Sequence, residues 1–206
     1  MKLVSRLCAA LLAVLTLLCL ASCKARKPSP AEPEKTEASG LTASQEARVR
    51  ELAAAFRLFG DCDAAKGIAI AACERMVYCF YTSALEASDV EGYGRVSVDD
   101  ANAMLSSIFR GLDFKGIMRT KYDPNADQEL FALNDYYYVK RTDGTAFAYE
   151  IASVSDLKDE DGNTYGVRVG VDITENGETY GSMELDLVPD ENAVYSVVKC
   201  ATQFAY

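Results

Sequence analysis

Four cysteines stand in the body of the chain, Cys62, Cys73, Cys79 and Cys200. In an oxidising compartment their first chemistry is pairing into disulfides. Cys73 and Cys79 share one predicted helix, on opposed faces and about 9 Å apart along its axis, so they cannot bridge each other without breaking it. Cys200, in the last predicted strand, could reach Cys73 or Cys79, and free buried thiols are the equally ordinary alternative. No Cys-x-x-Cys spacing supports a zinc site of four thiolates. The chain holds no His, which excludes a Ser-His-Asp triad, a Cys-His pair and His-containing zinc sites.

Carboxylates are the remaining reactive groups. Asp123, Asn125, Asp127 and Glu129 alternate oxygen ligands as a calcium loop does, yet Gln128 stands where an EF-hand needs Gly and no Glu closes position twelve. Asp156, Asp159, Asp161 and Asn163 gather at a predicted hairpin turn. Acidic loops on an acidic chain are ordinarily solvated, so neither metal nor cofactor is expected. In the predicted strands Glu150, Asp172, Glu184 and Asp186 alternate against apolar neighbours, and that parity points all four at solvent. The inner face is left with Tyr149, Tyr165, Ser153 and Thr202 as polar groups. A general base would have to come from Glu74 or Asp113, and the chain is expected not to be an enzyme. The run Tyr136-Tyr137-Tyr138 opens a strand and must turn at least one ring outward, a possible partner surface. The absence of Trp weakens a sugar-stacking role for it.

At the N-terminus, Lys2 and Arg6 precede an apolar run from Leu7 to Leu20, too short for a membrane-spanning helix of about 20 apolar residues. The run ends at Leu20-Ala21-Ser22-Cys23, which resembles the lipobox of bacterial lipoproteins: aliphatic, small, small, Cys. The resemblance implies that residues 1–22 are a signal peptide, cut before Cys23, and that Cys23 carries a diacylglyceryl group with a further acyl chain, such as palmitate, on its amino group. It also implies attachment to the outer face of a bacterial cell membrane. Two or three acyl chains hold a protein stably, where one does so only marginally. Lys24, Arg26 and Lys27 would meet the headgroups. Residues 23–40 then form a Pro-, Glu- and Lys-rich tether, at most about 56 Å long when extended.

A single domain, residues 41–206, follows. Half the chain is apolar and a quarter charged, with a net charge of −10. That composition calls for a packed core and gives no basic face for nucleic acid. Lys2, Arg6, Lys24, Arg26, Lys27 and Lys35 precede Leu41 against only Glu32, Glu34 and Glu37, so the body is more acidic than the whole. Thr42 with Gln45 makes a capping box, followed by Val49, Leu52, Phe56 and Phe59 at helical spacing and a stop at Gly60. A second helix is predicted from about Ala64 to Glu86, then a loop at "EGYGRV". A third helix is capped by Ser97 and Asp100 and closed by Gly111. Five strands are then predicted: 136–141, 146–154, 164–173, 183–187 and 193–204, joined by turns at Asp143-Gly144, Asp161-Gly162, Asn176-Gly177 and Pro189-Asp190. The expected architecture is α+β, three N-terminal helices packed on one face of a curved antiparallel meander. That order of elements resembles the cystatin-like or NTF2-like cone, and small cell-surface lipoproteins of Gram-positive gut bacteria. The expected function is a non-enzymatic binding or interaction module for an unknown protein or small ligand. The alternative is a small-ligand carrier or enzyme with a cavity between helices and sheet.

Overall fold

The computed structural model describes residues 39–110, 120–142, 146–191 and 193–205. Cys23 and the tether up to Ala38, Asp113 and Gly111, and the Asp143-Gly144 turn lie outside the described residues. The first helix, α1 (Ala43–Phe59), forms as its sequence dictates. The Thr42 side chain accepts from the Gln45 backbone, and the Gln45 side chain accepts from the Thr42 backbone. Gly60, at φ 88°, stops the helix in a backbone region that side chains disfavour. Val49, Leu52, Ala53 and Phe56 are wholly buried along one face.

The residues from Ala64, expected to open the second helix, form instead a single 3-10 turn over Ala64–Lys66, preceded by a two-residue strand, β1 (Cys62–Asp63). Asp63 caps that turn and Gly67, at φ 85°, ends it, so α2 runs only from Ile70 to Tyr81. The far end of α2 is set by Thr82, whose buried hydroxyl donates to the Lys140 carbonyl at 2.8 Å. Helix α3 (Val98–Ile108) is capped by Ser97 as expected.

The strands divide into two antiparallel sheets rather than one meander. The "EGYGRV" segment is a turn only at Glu91-Gly92: β2 (Tyr93–Ser97) pairs with β4 (Tyr136–Lys140), which also pairs with β3 (Leu130–Leu133) in a sheet ordered β2-β4-β3. The larger sheet is the predicted meander of β5 (Phe147–Lys158), β6 (Thr164–Glu175), β7 (Glu178–Asp190) and β8 (Val194–Phe204). Its fifth member is β1, not the Tyr136 strand, in the order β1-β8-β7-β6-β5. The helices therefore do not all precede the sheet, because β1 and β2 lie between them.

Helix α1 lies across β5, β7 and β8, α3 lies against β8, and α2 sits between α1 and the smaller sheet. The core between them is filled: Val169, Val171, Ile173, Met183, Leu185 and Leu187 are buried together with Val77, while Val167 and Phe80 close its rim. One polar side chain fastens three elements. Arg48 donates to the Tyr195 carbonyl on β8, to the Ser107 carbonyl and hydroxyl on α3, and to Glu51 on its own helix.

Candidate functional site

Where α1, the end of α2 and the start of β5 meet, the surface opens into a groove of about 530 Å³. Helical periodicity brings Ala54, Ala55 and Leu58 of α1 to one wall, while Phe147 and Tyr149, two apart on a strand, share the opposite wall. Phe147 is itself backed by Tyr180, edge to face at 5.1 Å. Small residues on the helix and rings on the strand leave an apolar trough. At one end the Thr82 and Thr142 hydroxyls lie 3.2 Å apart.

Arg57 is the groove's cation. Its Nε donates to Tyr149 Oη at 3.0 Å, and its guanidinium carbon sits 3.7 Å from the centre of the Phe147 ring. Arg57 makes no ion pair among the described residues. Glu51, the carboxylate in the same groove, is already joined to Arg48 at 2.6 Å. Cys79 also lines the groove; burial pushes its thiol up to about 11, with Arg75 and Arg57 opposing. The sequence reading missed this site. Its one local signal was Arg57 in the last turn of an apolar-faced helix on an acidic body, opposite an aromatic pair at strand spacing.

The residues that the sequence singled out are distributed otherwise. Across the ladder Cys200 pairs with Cys62, a residue the helix prediction had left outside the sheet. All four are free thiols in the structure. Among the calcium candidates, Asp127 receives Lys140 Nζ on both oxygens at 2.7 Å and Glu129 faces Arg75 at 3.8 Å. Asp123 accepts from the Asn125 backbone at 2.9 Å, while the Gln128 side chain bridges Asp123 and Lys121. The chain's own cations and backbone thus occupy these oxygens. At the β5–β6 turn, Asp159 accepts from the backbone of Asp161 and Asn163 and from the Asn163 side chain, which holds its carboxyl below the usual range. Among the described residues no three metal-ligating side chains come together.

Of the three tyrosines, only Tyr136 is exposed, with Arg95 over its ring at 5.0 Å. Tyr137 is buried, and Tyr138 stacks on Phe131 with centroids 4.9 Å apart, so the run does not present a surface of three rings. Glu150, Asp172 and Glu184 are exposed, and Asp186 faces outward in a bidentate pair with Arg168 at 2.7 and 2.9 Å. Ser153, expected inside, is outside. A bulge at Ala152 shifts the register between Ile151 and Ser153, which puts Ser153 opposite Gly170. Tyr165 is likewise exposed. Glu74 accepts from the backbone and hydroxyl of Thr120, at 3.0 and 2.9 Å. That ties a loop to α2.

The structure described is thus mixed α+β, with two antiparallel sheets and a groove at Arg57 between helix and sheet edge. Comparison with protein-family models, with curated proteins and with solved structures finds no match to this chain. Among the described residues no helix is long and apolar enough to cross a membrane.

Proposed function

We propose that this protein is a lipid-anchored, non-enzymatic binding module on the outer face of a bacterial cell membrane. Cys23 holds it there, and the groove at Arg57 takes a small ligand with an apolar body and a carboxylate. The observation that carries this reading is Arg57 itself: a guanidinium oriented by Tyr149 and Phe147, facing an apolar trough, with no acid partner among the described residues. Guanidinium binds carboxylate in a planar fork, and Tyr149 keeps its own proton to donate alongside. The filled core supports a ligand carried in the groove rather than enclosed within the fold. Arg57, Tyr149, Thr82 and Thr142 supply hydrogen-bonding groups that bind and orient, which favours carriage. A meander backed by α1 and α3 is in keeping with the cystatin-like or NTF2-like class that the predicted order of elements resembles, although β1 and β2 interrupt that order.

The test titrates the detergent-solubilised full chain with hexanoate and phenylacetate, against the neutral amides of both. The acids are expected to bind and the amides to bind at least 10-fold more weakly, and Arg57→Met should lose about 1.5–3 kcal/mol of acid binding. Equal binding of acids and amides would overturn the groove reading. Separately, Cys23→Ala is expected to leave the precursor uncut and to abolish metabolic labelling by palmitate. Unchanged labelling would sink the anchor.

A further inference from the structure

We infer that Cys62 and Cys200 form a disulfide that fastens the edge strand β1 to β8. Three independent observations converge on this pair. The two residues are direct partners in an antiparallel ladder, so their side chains leave the sheet on the same face. Opposed residues in such a ladder have Cα atoms about 4.5–5.5 Å apart, inside the disulfide range of about 4.4–6.8 Å. Cys73 and Cys79, by contrast, are buried on α2, whose main neighbours are α1, α3 and the smaller sheet rather than β8.

The second observation is where β1 lies. It has two residues and stands at the sheet edge, with only Cys62–Cys200 and Asp63–Lys199 in register. Beyond the ladder, its segment is tied to β8 by Asp61, which accepts from the Thr202 backbone and hydroxyl, both at 2.7 Å. So short a strand is marginal by itself, and a covalent bond placed within it would hold it through thermal opening. The third observation is the direction of the side chains. Cys200 is in the core and Cys62 packs on its rim, so an S–S bond would lie inside the fold rather than strapped across its surface.

The chemistry is thiol–disulfide exchange with an external disulfide, either a low-molecular-weight one or the active site of a disulfide oxidoreductase. The Cys62 thiolate, the more exposed of the two, attacks the external S–S bond and one half leaves as a thiol. The Cys200 thiolate then attacks the mixed disulfide and the second half leaves. Two S–H bonds are lost from the protein, one S–S bond forms, and both electrons and both protons end on the two released thiols. Burial raises the Cys62 thiol to about 11, so exchange on the folded chain is slow at neutral pH and speeds about tenfold per pH unit below that value.

To test it, the detergent-solubilised full chain is treated with oxidised glutathione at pH 8.5, its remaining thiols are alkylated under denaturing conditions, and it is digested with trypsin. The expected result is a peptide of Leu58–Lys66 linked to Cys200–Tyr206, with Cys73 and Cys79 alkylated. On reduction the melting temperature should fall by about 10 °C, and the Cys62→Ser/Cys200→Ser double variant should melt the same with and without reductant. Four alkylated thiols, or Cys200 linked to the Cys73 or Cys79 peptide, would overturn the pairing. The mass measurement stands on the native chain alone, whatever the stability of the double variant.

Discussion

Two arginines on α1, nine positions apart in the chain, show how one side chain type serves two ends. Arg48 is nearly covered: its donors go to Tyr195, Ser107 and Glu51, and removing it takes a donor from the Tyr195 carbonyl, while the Ser107 carbonyl keeps the Ser196 hydroxyl. An unsatisfied buried acceptor costs about 1–3 kcal/mol, so Arg48→Ala should lower unfolding free energy by about 1–3 kcal/mol in urea titrations. Arg57→Met should cost under about 1 kcal/mol, because Arg57 holds one neutral hydroxyl and one ring and leaves no acid unpaired among the described residues. If Arg57→Met were the more damaging of the two, Arg57 would be a packing residue and not a binding one. The Arg168–Asp186 pair makes a third case. It is bidentate and short but lies on the wet face of the sheet with Arg168 half exposed, and Arg168→Ala is expected to cost no more than about 1 kcal/mol. Residues whose partners are local were legible in the sequence, as the Thr42–Gln45 and Ser97–Asp100 caps show. Arg57 was not, because Tyr149 is 92 positions away and only the fold brings the two together.

At the level of elements, errors in the sequence reading cluster at glycines and at chain reversals. Apolar spacing from Ile68 onward extended the second helix backward through Gly67, whose positive φ no helix accepts. "EGYGRV" looked like a loop because it holds two glycines, but Gly94 is there to let β2 approach the preceding segment: a Cβ would run into Leu85 Cβ and the Glu86 carbonyl. The same logic separates two strand glycines. At Gly166 an added methyl meets the Leu187 carbonyl, which belongs to the ladder and cannot withdraw, whereas at Gly170 it meets the Ser153 hydroxyl, which can rotate away. Gly166→Ala is therefore expected to cost about 1–3 kcal/mol and Gly170→Ala much less, with thermal melts as the readout. The meander β5–β8 was legible because alternation and turn residues agree along its length. The second sheet was not, since β2 and β3 are short and join through a strand, β4, whose own pattern fits either sheet equally well.

At the scale of the whole molecule, the four thiols among the described residues lie in the core or on its rim, and that sets the response to alkali. Burial raises Cys62, Cys73 and Cys79 from 9.0 to about 11, and pushes Cys200 up further. Tyr81 and Tyr195 shift the same way through burial. Above about pH 9 an unfolded chain gives up thiol protons that the folded chain still holds. The unfolded state then binds fewer protons, and stability falls as pH rises. Reduced protein should therefore show a constant melting temperature up to about pH 8.5 and a steady decline from pH 9 to 11. The oxidised form, with two of the four thiols removed from titration, should decline less steeply. Parallel curves for the two forms would mean that Cys62 and Cys200 are not the groups responsible.

Among the described residues strand β5 has a neighbour on one side only, so twelve residues of backbone, Phe147–Lys158, stand along an open border of the larger sheet. In dilute solution such a border meets its like rarely. Molecules tethered at the proposed anchor would share a plane, upright and close, where encounters are frequent and already half aligned. A uniform border in that setting would template its own copy and grow into a ribbon across the cell surface. The extra residue at Ala152 spoils the match, because no second strand can follow the border past the kink without losing step. Deleting Ala152 restores the step between Ile151 and Ser153, and light scattering should then report assemblies that the parent chain does not form. On this reading, one alanine keeps a crowd of neighbours from becoming a fabric.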